Sequence, residues 1–199
     1  MLEWNEIQCL AFERAVHRVK GVVKWLAFVD TDEFLFSVTH HSLVDALQDY
    51  EPFAGLAVNW QVYGTSKISK IPTNELTIEH LTYKIHTDAE VNRHVKSVVR
   101  PERVLKFENP HSPIYLPGYT QVDTNQRPFD GPFSPSVLID KFRINHYMVR
   151  DDHYLNEVKI PRRIKWGAMP PYYHLLNEIE DEAIIPFIPF LKKRMSSIS

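Results

Sequence analysis

Three acidic residues stand together near residue 30, where Asp30 and Asp32 flank Thr31 and Glu33 follows directly. If residues 30–32 are extended, alternate side chains point to the same side, so the two aspartates can face one point. Two carboxylates at one point repel each other unless a cation or a proton lies between them, and oxygen ligands suit Mg²⁺ or Mn²⁺. The spacing predicts a metal and diphosphate site. The alternative is that these acids only end a strand and cap the next turn.

Two histidines could complete such a metal shell, because a neutral imidazole is a common metal ligand. His146 lies in a late apolar stretch, and His111 opens a proline-rich region. A histidine considered alone is more often a hydrogen-bonded core or surface residue. On spacing alone, neither histidine is preferred over the other as a ligand.

Basic residues of the stretch 93–106 could hold phosphates. If this stretch is a strand, Lys96 and Arg100 lie on one face. The alternative is a solvated charged face. A nucleic-acid site is not indicated, because the stretch lacks interleaved aromatic residues and the chain has a net charge of -2.

Activation of an acceptor hydroxyl would need a nearby carboxylate that acts as general base. The candidates are Glu33, Glu79 and Asp130. Each of them, judged alone, could equally serve a structural role.

The elements that must position these residues follow an α/β pattern. Residues 6–20 predict a helix, and 22–29 a strand buried on both faces of a parallel sheet. Ser42 begins a second helix, and residues 56–63 form a second strand. Residues 74–85 fit either a helix or a strand, residues 142–147 a strand, and residues 150–199 helices with connecting turns. Residues 107–136 form a long turn-rich region that holds six of the fourteen prolines.

Composition sets the class of protein. The chain has 199 residues, 44% of them hydrophobic, which is enough for one sizeable core. Its single cysteine, Cys9, excludes an intrachain disulfide and a paired-cysteine zinc site, so we expect a reducing, cytoplasmic compartment. No signal-peptide or membrane-spanning pattern occurs. The apolar tail 183–191 precedes three basic residues, and this predicts either a small buried helix or a peripheral membrane contact.

The residues around Asp30 are also part of a set of motifs that resembles a known family. Residues 24–35 resemble the metal-motif signature of glycosyltransferase family 92 and of related bacterial family-2-like glycosyltransferases. Further matches follow in the family's order, and they are Gln8-Cys9-Leu10-Ala11-Phe12 ahead of the signature, then Asn59-Trp60, Tyr63-Gly64-Thr65-Ser66, Lys96-Ser97-Val98-Val99-Arg100-Pro101, Asn109-Pro110-His111 and Ile144-Asn145-His146-Tyr147.

This resemblance implies a GT-A fold, which is a Rossmann-like nucleotide-sugar-binding sandwich. It implies a uridine diphosphate sugar as donor, a carbohydrate or other hydroxyl acceptor, a divalent metal and an inverting transfer. Carried onto this sequence, Asp30 and Asp32 are the metal and diphosphate motif, and Lys96 contacts the diphosphate. His146 is the best match for the late metal ligand, and His111 is the second.

One departure from the family affects the domain prediction. Relatives begin with a strand–helix–strand segment before the Gln8-like helix, whereas few residues precede Gln8 here. We therefore expect an N-terminally truncated GT-A domain over residues 1–150, with a helical C-terminal extension over 151–199. The alternatives are a non-catalytic remnant of such an enzyme and an Asp-x-Asp phosphohydrolase, although the latter expects a threonine or valine where Phe34 stands.

Overall fold

The computed structural model describes residues 3–168 and 176–197. The chain divides into two compact units. The first comprises Met1–Trp60 and Glu90–Ile144, and the second comprises Gln61–Ala89 and Asn145–Ser199. Each unit is thus built from two separate stretches of the chain, whereas the predicted division falls once, at residue 150.

The described residues contain both helices and strands. The helices are α1 Trp4–Val19, α2 Leu43–Ala46, α3 Thr77–His80, α4 Asp152–Tyr154, α5 Ile160–Lys165 and α6 Ile188–Ser196. The strands are β1 Leu26–Ala27, β2 Glu33–Ser37, β3 Gly55–Val62, β4 Tyr83–Lys84, β5 Val95–Val99, β6 Val104–Phe107, β7 Pro113–Tyr115, β8 Gln121–Val122, β9 Pro128–Phe129, β10 Phe142–His146 and β11 Ile179–Glu180. This confirms a mixed α/β architecture.

The main sheet has seven strands and contains both parallel and antiparallel pairs. Five of them lie in the order β1-β5-β3-β10-β2, and β8 joins β3 and β9. β5 is antiparallel to both β1 and β3, whereas β8 is parallel to β3. Every residue of β3 is buried. The predicted strands 56–63 and 142–147 are therefore confirmed, as β3 and β10.

The predicted helix 6–20 is confirmed as α1, which begins two residues earlier. The carboxylate of Glu6 accepts a hydrogen bond from the backbone N–H of Glu3, which satisfies one of the free donors at the helix start. Cys9 and Val16 are buried in a core that includes Val99 and Phe107. This core fixes α1 in the first unit, because packing there removes the apolar face of the helix from water.

The expectation of a long strand over 22–29, buried on both faces of a parallel sheet, is wrong. Only Leu26–Ala27 is a strand, and it pairs antiparallel with β5 at the edge of the sheet. Val22 is 78% exposed. Leu26 and Phe28 pack instead against the core that includes α1, and the rings of Phe28 and Phe12 stack with centroids 4.2 Å apart. The lack of alternation in this run therefore does not indicate burial on both faces of a sheet.

The proline-rich region 107–136 is not one continuous loop. β6 and β7 form an antiparallel pair, and β8 and β9 form another. Gly55 of β3 allows this region to approach closely, because a Cβ there would overlap the hydroxyl of Tyr115.

The second unit contains the small antiparallel sheet of β4 and β11. Lys84 is buried and donates hydrogen bonds to the Gln61 Oε1 at 2.6 Å and the Thr87 Oγ1 at 2.7 Å. Asp151 caps α4 by accepting from the N–H of Tyr154 at 2.8 Å. A π-helical stretch, Leu155–Lys159, connects α4 to α5.

The C-terminal stretch contains helices, as predicted, although β11 interrupts them and residues 169–175 lie outside the described part. Ile184 and Ile188 of the apolar tail are buried, whereas Phe190 is 66% exposed. Over residues 3–168 and 176–197, none of the helices combines the length and apolar character needed to span a membrane.

Candidate functional site

The aspartate motif lies in a turn between β1 and β2. The backbone N–H of Glu33 donates to the carbonyl oxygen of Asp30 at 3.0 Å, which closes a four-residue turn over residues 30–33. The expectation of an extended segment from Asp30 to Asp32 is therefore wrong. The turn is held locally, because the carbonyl oxygen and the N–H of Asp30 both find their hydrogen-bond partners on Glu33.

Glu33 closes the same turn a second time through its side chain. Its Oε2 accepts a hydrogen bond from the backbone N–H of Asp30 at 2.9 Å. The two reciprocal bonds leave the turn little freedom to open. Glu33 was a candidate general base, and in this structure its carboxyl group binds the backbone of the aspartate motif.

Lys96 connects this turn to the central part of the sheet. Its Nζ lies 2.9 Å from Oδ2 of Asp30 and 3.7 Å from Oε2 of Glu33. Gln8 of α1 donates from Nε2 to Oδ1 of Asp30 at 3.2 Å. We name Asp30, Glu33 and Lys96 the ion cluster. The structure thus brings the predicted diphosphate contact Lys96 to the predicted metal ligand Asp30.

Burial of the ion cluster is unequal. The side chains of Lys96 and Glu33 are 3% and 0% exposed, whereas that of Asp30 is 42% exposed. Burial raises the pKa of Glu33 to about 7, although the Lys96 ammonium and the Asp30 N–H both oppose that rise. Near neutral pH, Glu33 therefore exists in both protonation states.

His111 lies next to the ion cluster. Oδ1 of Asn109 accepts from the backbone N–H groups of His111 and Ser112 at 2.9 and 3.0 Å, which forms a turn that presents the imidazole. Burial and, to a smaller extent, the charge of Lys96 together lower the pKa of His111 to about 4, although the hydrogen bond to the Val95 carbonyl opposes them. His111 is therefore neutral at pH 7.

The remaining candidate residues have other partners. Arg100 donates from Nε and Nη2 to Oε1 of Glu102, at 3.0 and 2.7 Å, and lies over the ring of Trp25. Its guanidinium is thus already paired, which lowers its availability for a phosphate. Asp130 accepts from the hydroxyl of Thr120 at 2.9 Å on the surface of the first unit.

Glu79 and His146 belong to the second unit. Glu79 accepts from the backbone N–H of Leu76 at the start of α3 and forms an ion pair with Lys192 of α6. His146 is buried at the end of β10. The roles of both residues as base and metal ligand stay predictions.

A divalent metal fits the aspartate motif by the chemistry of its oxygen donors. Magnesium is held in proteins through one or two carboxylates together with substrate phosphates and water, and Asp30 and Asp32 could supply two such carboxylates. Within residues 3–168 and 176–197, no three His, Cys, Asp or Glu side chains are grouped to hold a metal. Any ion at the motif would therefore take most of its ligands from substrate and solvent.

Three residues beside the ion cluster were given no role from the sequence. Gln8 and Asn59 lie in motifs that resemble the family, so the sequence could have marked them as candidates, but it could not predict their contacts. The buried amide of Asn59 donates to the Asn92 carbonyl and to Ser134 Oγ, at 3.0 and 2.7 Å. The ring of His94 stacks on Trp60 with centroids 4.8 Å apart. No sequence pattern that we recognised singled out His94.

The first unit is thus a mixed α/β unit that holds a cluster of two carboxyl groups and one lysine at a tight turn. The sequence model of glycosyltransferase family 92 matches residues 3–129, which is more than half of the chain. The chain belongs to glycosyltransferase family 92.

Two relatives carry the same family name. A glycosyltransferase family 92 protein of Ricinus communis is 28% identical over 103 residues, and one of Arabidopsis thaliana is 26% identical over 110 residues. Each match covers 50% of this chain but only 18% of the relative. The chain therefore spans less than a fifth of the length of these relatives.

Proposed function

We propose that this chain is the donor-binding part of a metal-dependent glycosyltransferase with a GT-A fold. It transfers a sugar from a nucleotide diphosphate donor, a uridine diphosphate sugar, to a hydroxyl group of a carbohydrate or other acceptor, with inversion. The observation that carries the proposal is the ion cluster, in which Lys96 is paired with Asp30 inside the segment that defines the family.

The ion cluster suits a diphosphate because its lysine can exchange partners. The Nζ of Lys96 donates to an exposed carboxylate, so phosphate oxygens that arrive at Asp30 can take over that bond. A divalent ion, Mn²⁺ or Mg²⁺, held by Asp30 and Asp32 would bridge the phosphates and stabilise the leaving nucleotide. Glu33 keeps the motif in its turn while these charges are rearranged.

The general base stays open among Glu33, Glu79 and Asp130. Glu33 is fully buried and engaged with the turn, and Asp130 is exposed. His146 and His111 stay predictions as further metal ligands. The cytoplasmic location and a peripheral membrane contact through the tail also stay predictions.

Calorimetry with Mn²⁺ and uridine diphosphate tests the site. We expect Asp32→Ala to weaken nucleotide binding at least tenfold, because it removes one of two carboxylates from the metal. Asp140→Ala, which removes an exposed carboxylate elsewhere in the first unit, should bind as the unaltered chain does. Equal binding by Asp32→Ala and the unaltered chain would overturn the site assignment.

Catalysis is tested separately from binding. We expect the purified chain, with Mn²⁺ and a panel of uridine diphosphate sugars, to release uridine diphosphate. Nucleotide binding without any release would favour the non-catalytic alternative. Phosphate release that disappears in Asp30→Asn would favour the phosphohydrolase.

A further inference from the structure

A short stack of rings leads from the interior of the first unit to its surface. Trp60 of β3 is buried, and the imidazole of His94 lies on it with an angle of 15° between the rings. Phe133 lies on His94 with centroids 4.3 Å apart, and 51% of its surface is exposed. His111 lies at the side of the stack, with its centroid 5.1 Å from that of Trp60.

The backbone holds the exposed end of this stack in place. His94 and Phe133 form an antiparallel β-bridge. On either side of the bridge, Val95 donates to the carbonyl of Pro132 at 3.1 Å, and Ser134 donates to that of Arg93 at 2.9 Å. A half-exposed aromatic ring on a fixed backbone can bind a ligand at a small cost in conformational entropy.

Both imidazoles present the same ring atom for binding. Nδ1 of His94 lies 2.9 Å from the carbonyl oxygen of Val91, and Nδ1 of His111 lies 3.1 Å from that of Val95. A carbonyl oxygen only accepts, so the hydrogen of each neutral ring is on Nδ1 and its Nε2 is an acceptor. No group among the described residues is hydrogen-bonded to either Nε2.

Two neutral acceptors beside an aromatic face select among ligands. A phosphate is disfavoured because its oxygens would meet acceptors. Uracil carries two carbonyl oxygens and only one N–H donor, so it can satisfy one imidazole at most. A pyranose ring has several hydroxyl donors and one face of C–H groups that packs on an aromatic ring. The chemistry of this surface therefore matches a sugar.

The stack adjoins the ion cluster. Val58 lies opposite Lys96 in the register of β3 and β5, and Trp60 is two residues further along β3, so Trp60 and Lys96 are on the same face of the sheet. We propose that Phe133, His94 and His111 form a subsite for a pyranose ring, with Trp60 as its buried support. His111 is then not a metal ligand, because both roles would need its Nε2. This inference rests on the proposed function, because it names the sugar-binding part of the same site.

The pyranose can be the sugar of the donor or that of the acceptor, and binding measurements distinguish these sources. Calorimetry compares Phe133→Ala with the unaltered chain for three probes, all in the presence of Mn²⁺. The probes are uridine diphosphate, uridine diphosphate galactose and a panel of neutral disaccharides. Tyr119→Ala is the matched control, since it removes another aromatic ring that is 48% exposed.

We expect Phe133→Ala to weaken a sugar-bearing probe by about threefold to tenfold, which is the range of a single aromatic contact, and to leave uridine diphosphate binding unchanged. Phe133→Trp should retain the affinity. If Phe133→Ala binds the nucleotide sugar more weakly, the ring belongs to a donor subsite. If it binds the disaccharides more weakly, the ring belongs to an acceptor subsite.

Two results with Phe133→Ala overturn the subsite. One is an equal loss of affinity for uridine diphosphate and for the sugar-bearing probes, and the other is no loss of affinity for any probe. A third overturning result is that the unaltered chain binds no sugar-bearing probe more tightly than uridine diphosphate. In each case the binding of uridine diphosphate by the unaltered chain still decides the proposed function separately.

Discussion

Lys96 and Asp30 form an ion pair of 2.9 Å although 66 residues separate them in the chain. The lysine side chain is 3% exposed, whereas that of the aspartate is 42% exposed. The carboxylate is therefore the half of the pair that an incoming ligand meets, and the ammonium group stays shielded behind it. A phosphate could therefore reach Lys96 only when the pair with Asp30 opens.

Removal of the lysine charge should destabilise the first unit. Lys96→Met leaves the buried carboxyl group of Glu33 without its cation, and we expect a loss of about 3 kcal/mol in the free energy of unfolding, measured in urea at pH 8. Lys106→Met, at an exposed pair with Glu108, is the control and should change the free energy of unfolding much less than Lys96→Met does. The double variant with Glu33→Gln should recover part of the loss, and full additivity would contradict the coupling.

Glu33 should make stability fall as pH rises. Its pKa is about 7 in the folded chain and near 4.5 when unfolded, so the folded state binds more protons between these values. The stabilisation is complete below pH 4.5 and is lost as pH rises through 7. Relative to the unaltered chain, Glu33→Gln should gain about 3 kcal/mol between pH 4.5 and 8. If the difference in the free energy of unfolding between the two proteins stays constant from pH 4.5 to 8, the pKa of Glu33 is not raised.

His111 should remain neutral in mildly acidic solution. Burial lowers its pKa to about 4, so its Cε1 proton resonance should show no titration between pH 5.5 and 8. The resonance is assigned by its loss in His111→Asn. Nitrogen chemical shifts should report the hydrogen on Nδ1, which donates to the carbonyl oxygen of Val95. A midpoint near pH 6.5 would contradict the buried placement of the ring.

Asn59 should be important for the surface that carries Phe133. Its amide donates to the Asn92 carbonyl and to Ser134, and its Oδ1 accepts from the N–H of Leu138. Asn59→Ala removes these three buried hydrogen bonds, and we expect a loss of about 2–3 kcal/mol in the free energy of unfolding. Hydrogen exchange at Leu138 should become faster. Asn125→Ala, at an exposed position, is the control and should change neither quantity.

Local patterns in the sequence were sufficient for several elements. The period of apolar residues predicts α1, because a helix buried on one face has apolar residues at helical spacing. The apolar run before Gly64 predicts β3, because a strand buried on both faces is apolar throughout. Ser42 as the cap of α2 is confirmed, since its hydroxyl accepts from the N–H of Asp45. The motifs around Asp30 also led to the family.

Contacts between distant segments were decided only by the tertiary structure. The run 22–29 has the composition of a central strand, yet only Leu26–Ala27 forms a strand, and that strand is at the edge of the sheet. Apolar residue types do not reveal which segments pack against them. The turn at Asp30 depends on Glu33 and on Lys96, which β5 brings to it. The stack of His94 on Trp60 depends on the pairing of β3 with its neighbours. Residue types determined which chemistry was available, and long-range pairing decided which of these residues meet.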